Sequence, residues 1–274
     1  MTQLAPVGFG TLVNAEWFGL RRRTGVLVLT LVWAVQVIVF AYLVLFIVDR
    51  STGQPLDSLL PSSTGSFIVG SLPIYGGPVM LCIGAIVAGG DYRFGTLRTL
   101  LSRYPSRAPF LLARFAAMTL VLLAVSAMTL LLSIVCGGVI ALSQGLPLDY
   151  PGPGTLAVAL GAIWLVTTAW GALGFLAGTL IRNLTAAIVV GLVWTLMVEN
   201  LLFGVLGSVV PALGAVRVIL LSPSSGALAA ALGARGTPGV APTASGPVAA
   251  LVLLGYVVVG ALVSVVVFAR REIN

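Results

Sequence analysis

GVLVLTLVWAVQVIVFAYLVLFIV, residues 25–48, runs for twenty-four residues without a charge. As a helix it extends about 36 Å, enough to cross a hydrocarbon core of about 30 Å with some tilt. It is longer than the apolar core of a signal peptide, and no convincing small-residue cleavage site follows, so a retained first membrane span is expected. The whole chain agrees. Hydrophobic residues make up 59% and charged residues 8%, mean hydropathy is +1.15, and an ordinary soluble domain carries about 25% charge. The expected fold class is an all-α integral membrane protein.

Residues 1–24 precede this run. Phe9, Leu12, Val13, Trp17 and Leu20 can share one side of a helix that Arg21, Arg22 and Arg23 close. Two readings fit: an amphipathic interfacial helix on the inner leaflet with Trp17 at headgroup depth, or a plain positive flank. After a polar loop at 49–66 the second run, 67–90, contains Pro73, Gly76, Gly77, Pro78 and Gly84. It cannot be one ideal helix, and broken helices at membrane depth survive only where protein or a water-filled cavity covers the freed backbone groups. The second span should therefore face the interior. Further spans are expected at about 109–142, 155–181, 184–203 and 248–269, which makes 25–274 a six-helix transmembrane domain.

The stretch 204–246 is less regular. Residues 204–221 are apolar but are interrupted by Gly207, Pro211 and Gly214 and carry Arg217. A re-entrant extracellular hairpin is expected there, followed by a mobile Ala/Gly/Pro/Ser segment from about residue 222 to 246. With six spans and both termini cytoplasmic, eleven arginines fall inside and only Arg50, Arg217 and Arg235 fall outside. That is the asymmetry of the positive-inside rule. A seventh crossing would move Arg270 and Arg271 outward.

All fourteen basic residues are arginine, and neither lysine nor histidine occurs. A P-loop needs a lysine for the nucleotide phosphates, so no standard ATP site is available. Without histidine there is no His-based metal site, no HExxH helix and no Ser-His-Asp triad. No catalytic residue and no metal ligand is expected, and the arginines lie beside apolar runs rather than in a nucleic-acid patch. Cys82 and Cys136 fall inside apolar runs and read as buried thiols. Glu199, beside Asn200, lies roughly 24 Å along the fifth helix. An intramembrane carboxylate is a functional candidate. It could contact a cationic substrate or relay a proton. It could hold the following hairpin by accepting from that helix's N-terminal amides, or simply reach water or headgroups. Gly171, Gly174 and Gly178 of the fourth span permit close helix approach, within the monomer first and in a dimer second. Trp164, Trp170 and Trp194 carry no assigned role.

Between the second and third runs lies DYRFGTLRTLLSR, residues 91–103. Phe94, Leu97, Leu101 and Tyr104 share one helical face, with Arg93 and Arg98 flanking it and Pro105 as the stop. With its continuation YPSRAPFLLARF, this segment resembles the one after the second span of ABC type-2 exporter permeases. There an acidic residue precedes a GTLR-like run, then serine and arginine, then the next span. The resemblance extends to the N-terminal helix ending in arginines, the broken second span, the short turn between the fourth and fifth spans, and the hairpin before the last. It implies that residues 91–104 form a coupling helix docking on a separate ATPase, with Asp91, Phe94, Gly95, Thr96, Leu97, Arg98, Leu100 and Leu101 as contacts. Asp91 stands where many relatives have glutamate. It further implies a homodimer or close heterodimer over two ATPase copies that bind ATP and Mg, in a bacterial cytoplasmic membrane. The expected function is export of a hydrophobic or amphipathic substrate (drug, antibiotic, peptide or lipid). The alternative is a membrane scaffold that recruits a cytoplasmic partner through the arginine-rich loop without transport.

Overall fold

The computed structural model describes residues 8–53, 56–94, 107–181, 183–206 and 210–270. Among these residues the chain is helical without strands, and six helices are long and apolar enough to cross a membrane. They are Thr24–Thr52, Pro61–Gly90, Ala108–Ser143, Pro153–Leu180, Leu184–Leu201 and Gly246–Arg270. The expected starts and ends shift by a few residues. The largest shift is at the second span, which begins at Pro61 because proline occupies the first position of a helical turn, where its missing N–H has no intrahelical partner to lose.

The second and fourth spans form the centre. In its most apolar stretch the second span is 67% buried and the fourth 56%, against 17% for the first and 22% for the sixth. Lipid is as apolar as leucine, so burial of apolar area does not drive such helices together and close backbone approach must. The glycines supply it. A Cβ at Gly84 would strike the carbonyl oxygen of Gly171, one at Gly174 that of Leu81, and one at Gly178 that of Ala85 at 2.7 Å. The fourth-span glycines therefore serve packing within the chain. The sixth span lies along the same helix, with Gly260 against Ala172.

The second span is broken as its sequence requires. It widens into a π-helical turn at Leu72–Gly76 around Pro73, then resumes as α-helix over Gly77–Phe94. Gly76 and Gly77 make room there for two buried indoles, Trp33 of the first span and Trp170 of the fourth. Side-chain hydrogen bonds then fix the register of the outer helices. Trp33 Nε1 donates to Thr129 Oγ1 at 2.9 Å. The Tyr42 and Ser133 hydroxyls meet at 2.5 Å, and Ser133 donates on to the Thr64 carbonyl at 3.1 Å.

One expectation needs correction. The segment after residue 221 is a helix, Leu221–Ala231, with every residue from Leu221 to Ala229 buried. Its Ser/Gly/Ala composition, which resembles that of a mobile linker, serves tight packing: a Cβ at Gly226 would strike the Gly239 carbonyl. At eleven residues it rises only about 16 Å and cannot cross. The preceding stretch, Pro211–Val216, is a six-residue helix followed by a 3₁₀ turn at Arg217–Ile219. At the N-terminus the helix Phe9–Arg21 packs on the third span, burying Leu12 and Leu20 and leaving Phe9 exposed.

Candidate functional site

The fifth span opens at Asn183, whose side chain accepts from the Ala186 amide at 3.2 Å, and is α-helical to Leu192. From Val193 to Leu206 it is π-helical. That change of winding builds the site, because a π-helix aligns residues five apart instead of four. Trp194 comes to lie over Glu199, and its Nε1 donates to Glu199 Oε1 at 2.9 Å. Asn200 Nδ2 likewise donates to the Thr195 carbonyl at 2.8 Å.

Glu199 is fully buried. This overturns the reading in which it reaches water or headgroups. Its other oxygen, Oε2, accepts from the Ser222 amide at 2.7 Å. The first amides of a helix have no partner within it. At this helix end the Leu220 N–H reaches the Arg217 carbonyl at 3.3 Å, the Ser222 N–H goes to Glu199, and Pro223 has none to place. The carboxylate also lies at the positive end of the helix dipole, where negative charge is favoured. Ser222 Oγ closes the cluster, 3.0 Å from Asn200 Oδ1 and 3.4 Å from the Pro73 carbonyl of the second span's π-turn. One carboxylate therefore joins the fifth span, the buried helix and, through Ser222, the broken part of the second span.

A cavity of about 270 Å³ adjoins this cluster, lined by Glu199, Asn200, Arg217, Thr243, Ile74 and Val240 among others. Arg217 brings a buried Nε with no hydrogen-bond partner among the described residues. Opposite charges in a low-dielectric wall attract strongly, which suits holding a small polar molecule or reorganising around one. No trio of His, Cys, Asp and Glu able to hold a metal occurs among the described residues, and Cys82 and Cys136 are free thiols.

The second group of expected site residues lies at the other end of the bundle. Asp91 and Phe94 continue the helix Gly77–Phe94. Gly95, Thr96, Leu97, Arg98, Leu100 and Leu101 lie outside the described residues, as do the face and stop expected for that segment. Among the N-terminal arginines, Arg21 stacks over the Trp17 ring at 5.6 Å, while Arg22 is exposed. Arg23 turns inward: its Nη1 donates to the Ile86 carbonyl at 2.9 Å and the guanidinium lies against Gly90. Arg114, expected as a flanking charge, is buried at the start of the third span. Its Nε meets Glu16 Oε2 at 2.9 Å and its guanidinium lies 4.8 Å from the Phe110 ring centroid. That arginine is neutralised from within and tells less about orientation than an exposed one.

Two participants were not anticipated. Trp194 had a signal, since W-x4-E is a spacing of five that no α-helix face explains. Ser222 had none, because its part depends on a long-range contact. No protein-family model and no curated protein sequence matches this chain.

Proposed function

We propose that the chain is the membrane-spanning permease subunit of an ABC exporter, driven by ATP that a separate subunit hydrolyses. Two such permeases would pair over two ATPases, with the 91–104 segment as the docking element and the arginine-rich end of the bundle facing the cytoplasm. One observation carries this reading: the helix Gly77–Phe94 leads without a break from the most buried, glycine-locked span into the segment that resembles a coupling helix. Coupling needs an element that both sites bias, and a displacement at residue 94 would pass directly to the second and fourth spans. The missing lysine supports an external energy source. Arg23, hydrogen-bonded to the Ile86 carbonyl, would tie the N-terminal helix to the same end.

The test is a double substitution, Leu97→Asp with Arg98→Glu, in the chain co-expressed with the ATPase encoded beside it. The expected result is loss of the ATPase on purification and loss of transport-stimulated hydrolysis, with the permease still folded. Co-purification at full stoichiometry with hydrolysis still stimulated refutes the assignment. A neighbouring reading frame with GxxxxGK[ST] is the prior expectation, and its absence favours the scaffold reading.

A further inference from the structure

Arg217 stands between the fifth span and the helix Leu221–Ala231, where it opens the 3₁₀ turn Arg217–Ile219. It is half-buried, and among the described residues its guanidinium makes no hydrogen bond and no ion pair: Nε is covered, while the two Nη nitrogens stay open. Other arginines drawn against the bundle are answered, Arg23 by the Ile86 carbonyl and Arg114 by Glu16. Glu199 does not answer Arg217. Its oxygens accept from Trp194 and Ser222, and no ion pair joins it to Arg217. A charge at membrane depth is costly without a partner, and an unpaired one marks a site to be filled.

The turn Arg217–Ile219 is a wall of two cavities. Arg217 lines the one beside Glu199 together with Asn200 and Thr243, both partly exposed and both with a donor to give. Asn200 Nδ2 spends one of its two hydrogens on the Thr195 carbonyl, and the Thr243 hydroxyl lies 3.4 Å from the Pro223 carbonyl, beyond the usual O–H···O range of about 2.5–3.0 Å. Ile219 lines the other, an apolar groove of about 270 Å³ between the fourth and sixth spans, with Leu173, Leu176 and Gly255 in its wall. From Val252 to Gly260 this groove follows about 12 Å of the sixth span. Tyr256 ties it to the turn by donating to the Ile219 carbonyl at 3.1 Å.

We propose that the two cavities together hold one resident phospholipid of the leaflet at the Glu199 end. Its phosphate is bound by the Arg217 Nη nitrogens, Asn200 Nδ2 and the Thr243 hydroxyl, and one acyl chain lies in the groove beside Ile219. The arginine fork matches phosphate oxygens, and a pocket of donors next to an apolar groove fits a headgroup joined to a chain. Glu199 sets the charge. Covered behind the wall, its carboxylate opposes a second negative charge, so a phosphodiester with a single charge is preferred to inorganic phosphate, which carries up to two near neutral pH. This lipid is a partner of the fold rather than an exported cargo, and its binding requires no ATPase.

The test uses the full chain purified in detergent and native mass spectrometry to count retained lipid. The probe is dioleoylphosphatidylglycerol, and dioleoylglycerol, with the same chains and no phosphate, is the control. Wild type should retain one phosphatidylglycerol per chain more than Arg217→Gln, in which that copy returns only at about tenfold higher lipid, the range of one charge-assisted contact. The comparison with Arg217→Gln sets aside lipid held by the arginines at the opposite end. Gly255→Leu should lose the same copy, because a Cβ there meets nothing within 4 Å and a larger side chain fills the groove. Dioleoylglycerol should be retained equally by wild type and Arg217→Gln. Equal phosphatidylglycerol counts in wild type and Arg217→Gln overturn the proposal. So does displacement of the copy by millimolar inorganic phosphate with Gly255→Leu still retaining it, which identifies a free-oxyanion site. A lower lipid-free thermal midpoint for Arg217→Gln also overturns it, by giving the guanidinium a partner within the fold.

Discussion

Replacing Glu199 tests whether the carboxylate holds the buried helix in place. Glu199→Ala leaves two donors without an acceptor: the Ser222 amide and the Trp194 indole. At about 1–3 kcal/mol for each buried unsatisfied donor, the cost is about 2–6 kcal/mol, discounted if cavity water answers one of them. Glu199→Gln keeps one acceptor oxygen and turns an amide NH2 toward a donor, so its cost should be about 1–3 kcal/mol. Unfolding can be followed with a thiol-reactive dye, because Cys82 and Cys136 are free and only partly exposed in the fold. The expected order of midpoints is wild type, then Gln, then Ala. A double-mutant cycle sharpens this: Trp194→Phe should cost about 1 kcal/mol in the wild type and almost nothing in the Ala background, because the partner is already gone. Equal midpoints for the Gln and Ala variants, or no coupling to Trp194, would refute the latch. A Glu199→Gln protein of full stability that loses transport of cationic compounds alone would point to direct substrate contact instead.

Other substitutions test the packing. Gly174→Leu should abolish folded protein, because its Cβ already meets the Leu81 carbonyl, whereas Gly255→Ala, with nothing within 4 Å, should purify at wild-type yield. Glu16→Gln removes the carboxylate that Arg114 Nε meets at 2.9 Å and should destabilise more than the paired change Glu16→Gln with Arg114→Met, read as thermal midpoints. Trp170→Phe removes the 3.2 Å bond to Ser225 and should cost about 1 kcal/mol, loosening Leu221–Ala231 in hydrogen exchange before the spans themselves.

The six helices were legible because length and apolarity are local properties: twenty or more uncharged residues answer the question of crossing whatever they touch. The break in the second span was equally local, since Pro73 removes a donor wherever it stands. Glu199 and Asn200 stood out for the same reason, as polar side chains in an apolar run. What they bond to was not readable, because Ser222 lies twenty-three residues away in a stretch whose composition suits a linker. The π-winding that turns Trp194 toward Glu199 was equally hidden, since apolar periodicity over a short run does not separate four residues per contact from five. Arg114 shows the converse error. Counting charges treats each arginine as exposed, and only the packing of Phe9–Arg21 reveals that Glu16 cancels it.

By itself, then, the chain's order of residues determined that it is helical, that six helices can span a membrane, and that its second span is bent and inward. Each of these follows from the cost of placing charge or unpaired backbone in hydrocarbon, and that cost is set residue by residue. The tertiary structure alone decided which glycine meets which carbonyl, that Leu221–Ala231 is buried rather than mobile, and that Ser222 meets Glu199. Those depend on pairwise contacts between segments far apart in the chain, which composition does not encode.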